Sequence, residues 1–548
     1  MRYTVVTLSG KYRESAPPVR LPLAALSGTV FRFDRFYLQT KSIIASRRIE
    51  RVLVVADSSF KVGFVAGLES IRDLLGQLVD AGKQVWFYST DYSDAHLYLA
   101  SRCTNRVMHP LGAMRCMGLF RTAFFFKQVL DRYGLTIQVA RRGRYKSASD
   151  RFRLESIDPL NREQYEAWMD VGARTLHEAI LEGYGRPAED LDPFLKGQIL
   201  DAESAVTDGW VDRVSTVGDL TAEWEKQKHR TRHLKIPGHV GRGKTVAVLV
   251  IEGAIRRGKS GFNPLFGPSI GSESLVKSIR TLEKNRSIAA VVLRINSGGG
   301  DAAASEDIRV ALDRLAAVKP LVVSMSEVAG SGGYWIATPG SRIFAERSTL
   351  TGSIGVIALS VALRSPLEHV GVTQSTLRTH AHADTQSGMR PLSELEFTEL
   401  DGQVESIYSR FLKLVSESRG LDLDTVKKHA EGRLWSGSDA AKIGLVDQVG
   451  GLDAAIESAR TAAGLGHARV AFYPRVKRSF LQRLVTRPFA GISLPAMGLP
   501  DMRDVLEVAG RPLLIQPESL VPLFGMDGVG YGTSGLDIRS LDLFDADL

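Results

Sequence analysis

A self-match at a fixed spacing constrains this chain more than any other feature. Leu68-Glu69-Ser70-Ile71-Arg72 aligns with Ser305-Glu306-Asp307-Ile308-Arg309 at an offset of 237 residues, and His96-Leu97-Tyr98-Leu99-Ala100 aligns with Gly333-Tyr334-Trp335-Ile336-Ala337 at the same offset. Further on, Gly197-Gln198, Ala205 and Gly209-Trp210-Val211-Asp212 match Gly432-Arg433, Ala440 and Gly444-Leu445-Val446-Asp447 at an offset of 235. A shared apolar pattern would not hold one offset over such distances, so the chain is read as two copies of one folding unit.

Each copy alternates short β-rich runs with amphipathic helical stretches, the pattern of a parallel sheet with crossover helices. In the second copy strands are expected over 246–251, 289–295, 321–326 and 342–344, and helices over 272–283 and 303–317. The most uniformly apolar strands should be buried on both faces. A long helical stretch over 395–418 resembles 162–182 in the first copy. The division expected is a first repeat over 1–224, a basic linker over 225–244, a second repeat over 245–470 and a tail over 471–548 with no role assigned.

The 548 residues carry 70 basic and 61 acidic side chains, a net charge of +9 that reads as diffuse solubilising charge, and no nucleic-acid partner is expected. The linker is read as a solvated connection. The start of the tail, 475–487, is basic and amphipathic, and peripheral contact with a membrane surface is weighed there against an ordinary surface helix. Cys103 and Cys116 are too few for a disulfide scaffold or a four-cysteine zinc site and are read as inert thiols. No run reaches the roughly 18 apolar residues of a membrane-spanning helix, and no export signal is visible, which leaves a cytoplasmic location open.

Gly238-His239-Val240-Gly241-Arg242-Gly243-Lys244-Thr245 fits the pattern of a phosphate-binding loop, yet the mechanism needs a strand before the glycines and a helix after them. Here a polar linker precedes and a strand follows, so nucleotide binding is rejected.

Chemistry concentrates elsewhere. Ser331, in Gly330-Ser331-Gly332-Gly333, follows a strand and precedes a helix start, where free amides and the helix dipole favour developing negative charge. Asn296-Ser297-Gly298-Gly299-Gly300-Asp301 ends another strand with amides free to face a crevice, and together with the Gly332 amide it suits an oxyanion hole. In Thr351-Gly352-Ser353-Ile354-Gly355 the Ser353 hydroxyl would orient a neutral amine. No histidine sits in a comparably constrained setting to act as base. Lys146, in Arg144-Tyr145-Lys146-Ser147, would serve if desolvation and like charge from Arg141, Arg142, Arg144, Arg151 and Arg153 populate its neutral form. The offset of 237 puts Asp94 at the serine position of the first copy and Ala383 at the lysine position of the second. Each copy therefore holds one member of the pair.

These motifs and the duplication resemble the signal peptide peptidase A family, also called protease IV, in its long two-copy form, over nearly all of residues 1–465. The resemblance implies a tandem repeat of two Clp protease/crotonase-like α/β domains with helical extensions, and a serine endopeptidase acting on cleaved signal peptides or other apolar peptides. It implies Ser331 as nucleophile, Lys146 as general base, Ser353 as the residue holding the lysine, and Gly299, Gly300 and Gly332 as the oxyanion region. No metal or organic cofactor is implied. A homotetramer associated with the membrane is implied. Gly298 stands where the family commonly has proline and Gly330 where it commonly has alanine, which would make both turns more flexible. The rival readings are an inactive peptide-binding scaffold of the same fold and a crotonase-type acyl-CoA enzyme.

Overall fold

A computed structural model describes residues 2–15, 29–263, 267–363, 367–368, 371–474 and 530–531. The basic stretch 475–487 lies outside these residues. The first copy contributes β1 (Arg2–Leu8), β2 (Arg51–Ala56), α1 (Val65–Asp80), β3 (Gln84–Ser89), α2 (Asp94–Ala100) and β4 (Asn105–Met108). Its sheet is wholly parallel, in the order Arg213–Val214, β4, β3, β2, β1, Arg230–Thr231. Two further elements are β5 (Thr136–Arg142), which leaves this sheet to pair with the second copy, and α3 (Pro159–Tyr184), which packs in the first core and also reaches the second copy.

The second copy repeats the plan with β6 (Thr245–Glu252), β7 (Ile288–Ser297), α4 (Ala302–Ala316), β8 (Leu321–Gly330), the short helix α5 (Gly332–Trp335) and β9 (Arg342–Ala345). Its sheet runs Gln448–Val449, β9, β8, β7, β6, Arg469–Tyr473, the same order of equivalent strands, with Val240–Gly241 added antiparallel at the edge. Three more elements are β10 (Leu350–Gly352), β11 (Val356–Ala362) and α6 (Glu394–Arg419). β10 pairs with the far end of β8, which is why β8 runs past the expected 326 to Gly330.

β6, β7 and β8 are buried almost throughout, because their two faces meet different partners. Val246, Val248, Val292 and Val322 join Leu68, Ile71 and Leu75 of α1 in one core, while Ala247, Leu249, Leu293 and Val323 join Ile308 and Leu312 of α4 in another. α1 of the first copy and the helix Leu452–Ala462 of the second thus share the layer against the first of these faces of the second sheet. Removing both faces from water is what such apolar strands require.

The basic linker does more than connect. Arg230–Thr231 extends the first sheet beside β1, and His229 is buried with its ring against the Trp224 carbonyl. Lys244-Thr245 of the rejected phosphate-loop pattern leads into β6 and not into a helix. Among the described residues no helix is long and apolar enough to cross a membrane.

Candidate active site

The seam is built by strand exchange. β5 of the first copy pairs antiparallel with β11 of the second over seven residues, from Thr136 opposite Ala362 to Arg142 opposite Val356. Ala140, Ala358 and Val404 of α6 form a small core under this ribbon. Arg142 fastens its end through two bonds of 2.7 Å to Asp401 and an ion pair with Glu405, both on α6.

Beyond Arg142 the chain turns through Gly143, whose φ of +99° no side chain would readily adopt, and a Cβ there would meet the Glu431 carbonyl carbon at 2.5 Å. A Cβ on Gly432 would meet that of Lys146 at 2.6 Å, and one on Gly355 would reach its Cδ at 3.2 Å. These glycines let the lysine stem pass through a gap that leaves it 3% exposed. Its Nζ then donates to Ser331 Oγ at 3.0 Å, to the Ser353 carbonyl at 3.0 Å and to Ser353 Oγ at 2.8 Å.

The arginines around Lys146 do not crowd it as the sequence suggests. Arg141 and Arg153 both bind Asp150, Arg142 binds Asp401 and Glu405, and Arg144 stacks on the Tyr145 ring. The neighbouring Asp150 and, from α6, Asp401 and Glu405 offset the charge of three of these arginines.

Ser331 caps α5 with φ 53° and ψ −120°, a conformation that costs a non-glycine residue on the order of 1–3 kcal/mol. Its amide donates to the Gly352 carbonyl at 2.9 Å, and the Ser353 amide, also at positive φ (50°), donates to the Arg433 carbonyl at 2.7 Å. β10 thus locks both serines to one backbone frame.

The oxyanion region needs a correction. The Gly299 amide already donates to Ser297 Oγ at 3.2 Å, and its carbonyl accepts from the Ile255 amide at 2.8 Å. Gly299 supplies space: a Cβ there would stand 2.5 Å from the Gly332 nitrogen. The Gly300 and Gly332 backbones approach closely, since a Cβ on Gly332 would sit 3.1 Å from the Gly300 nitrogen. Gly332 opens α5, where a helix has no carbonyl for its first amides. Ala302, Trp335, Ile357, Ile407 and Phe411 line the adjoining pocket with apolar surface.

Asp94 and Ala383 stand apart from this site. Asp94 is buried at the start of α2, and Ala383 lies in an exposed turn, where the described residues of the second copy form no strand equivalent to β5. Sequence reasoning missed Gly143, Gly355 and Gly432, although single glycines flanking Lys146 and Ser353 are the signal of close backbone approach.

The model of peptidase family S49 matches residues 77–231 and 313–466, one segment in each copy. The chain belongs to this family. It is a serine-type endopeptidase of family S49, built as a tandem of two α/β units. Protease 4 of Salmonella typhi is 31% identical over 74% of this chain and 68% of its own length. The chloroplastic serine protease SPPA of Arabidopsis thaliana is 28% identical over 79% of this chain and 64% of its own. ClpP1 of Listeria monocytogenes superimposes at a TM-score of 0.24, with 15% identity, over 37% of this chain and 91% of that one. Both relatives carry protease names, and nothing in these S49 matches favours the scaffold or acyl-CoA readings.

Proposed function

We propose that this S49 peptidase works through a Ser331/Lys146 dyad shared between its two copies and hydrolyses extended apolar peptides such as cleaved signal peptides. The observation that carries the reading is the 3.0 Å approach of Lys146 Nζ to Ser331 Oγ. Neutral Lys146 takes the Ser331 proton as the oxygen attacks a peptide carbonyl, and the Gly300 and Gly332 amides hold the oxyanion. Lys146 then protonates the leaving amine and deprotonates the water that releases the acyl group. Ser353 holds the amine on line through its carbonyl and hydroxyl.

The apolar lining beside Ser331 supports the substrate class, since a peptide side chain would enter it without stranding a polar group. By family resemblance the chain assembles as a homotetramer and associates peripherally with membrane. A serine-directed phosphonate should label Ser331, and Lys146→Ala should abolish both rapid labelling and turnover of signal-like peptides. Unchanged cleavage in Ser331→Ala and in Lys146→Ala would overturn the assignment.

A further inference from the structure

Where the second copy has Ser331, the first has Asp94, with no exposed surface. Its carboxylate is fixed by backbone: Oδ1 accepts from the Gly118 amide at 3.0 Å and Oδ2 from the Met117 amide at 3.1 Å. Two further donor atoms converge on it. Cys116 Sγ lies 3.2 Å from Oδ1, and His177 Nε2, from α3, lies 3.9 Å from the same oxygen.

That imidazole nitrogen is buried and has no hydrogen-bond partner, although the side chain is 21% exposed overall. At 3.9 Å it faces the carboxylate without bonding to it. A buried nitrogen left in this way requires a reason, and a ligand between the groups is one. The three donor atoms all lie within 4.8 Å of one another. Bonds of about 2.0–2.3 Å in a tetrahedral zinc site place ligand atoms roughly 3.3–3.8 Å apart, so small side-chain movements would close the set.

We infer that Asp94, Cys116 and His177 form a divalent-metal site that takes zinc, with a water in the fourth position on the side where His177 reaches solvent. On binding, the Cys116 thiol releases its proton to solvent and the thiolate sulfur, the Asp94 carboxylate and the neutral His177 Nε2 each donate an electron pair. One thiolate and one carboxylate balance the two positive charges, which suits a buried position. The combination of thiolate, imidazole and carboxylate is one that zinc accepts.

The site would clip α2, the segment carrying Cys116 and α3 together. That matters beyond the first copy, because α3 also reaches the second: Trp168 Nε1 donates to the Ser348 carbonyl at 2.9 Å and Gln164 Oε1 accepts from the Leu434 amide at 2.9 Å. This inference is independent of the peptidase mechanism.

Metal content of the full-length, tag-free chain, loaded with zinc chloride and passed over a desalting column, tests it. The expected result is one zinc per chain, a higher melting temperature with zinc than after chelation, and a thiolate-to-metal charge-transfer band in the cobalt-loaded form. Cys116→Ser should lose the band, and His177→Gln, which alters a residue at the rim, should weaken zinc binding about tenfold or more while keeping a cooperative melt. A folded wild-type chain without stoichiometric zinc, or unchanged binding in both variants, would overturn the site.

Discussion

Glu14 of the first copy and Arg294 of the second form an ion pair with no exposed surface on either side chain, joined at 3.1 and 3.0 Å. The Ser70, Ser324 and Ser326 hydroxyls also accept from the guanidinium. A charge this deep is tolerated only while its partner remains.

Arg294→Met should therefore cost about 3–5 kcal/mol by stranding the Glu14 carboxylate between the copies. The double variant Glu14→Leu/Arg294→Met should recover much of that loss, since no unpaired charge is left. Urea denaturation of the three proteins measures both numbers.

More carboxylates crowd the same seam. Burial raises Glu327 to about 7 and Glu252 to about 8 from an ordinary 4.5, and burial also pushes Glu69 and Glu346 upward. The folded protein holds protons there that the unfolded chain releases above 4.5, so stability is fully present below that value and falls as pH rises through about 7 to 8. Glu327→Gln should flatten this slope and raise the melting temperature at the alkaline end of the window. A melting temperature independent of pH across it would contradict the expectation.

The glycines around Ser331 should respond unequally. A Cβ on Gly332 would stand 2.6 Å from Ser305 Oγ and cover the Gly300 amide, so Gly332→Ala should lower kcat about 100- to 1,000-fold, as loss of an oxyanion donor does. Gly330→Ala should be nearly silent in kcat and stabilise by about 0.4–1 kcal/mol, because its nearest neighbour, Ser353 Cβ, is 3.5 Å away. Steady-state kinetics with thermal melts separates the two.

Ser353→Ala keeps the carbonyl that accepts from Lys146 and removes only the hydroxyl. Turnover should fall about 10- to 100-fold, with phosphonate labelling slowed and not abolished. Loss of all labelling would mean that the hydroxyl does more than orient the amine.

The duplication and the parallel sheet with crossover helices were legible because matching runs recur at offsets of 237 and 235, and Ser331 and Lys146 stood out in glycine-rich or basic settings of unusual composition. What was not legible depended on partners far along the chain. Nothing in 136–142 names 356–362 as its partner, since antiparallel register is set by packing on α6 and not by either strand alone. Arg142, close to Lys146 in sequence, looked like a source of repulsion because its partners Asp401 and Glu405 are some 260 residues away. Gly299 read as a free donor because composition does not reveal that Ser297 Oγ takes its amide.

The central claim is that one chain supplies both Ser331 and Lys146, each from a different copy. Co-expression of Ser331→Ala chains with Lys146→Ala chains, followed by purification of the mixed assembly and assay on an apolar peptide, tests it most directly. With both residues supplied by one chain, no turnover should be recovered and the remaining Ser331 should not be rapidly labelled. Recovery of a sizeable fraction of wild-type activity would place the two residues in different chains and contradict it.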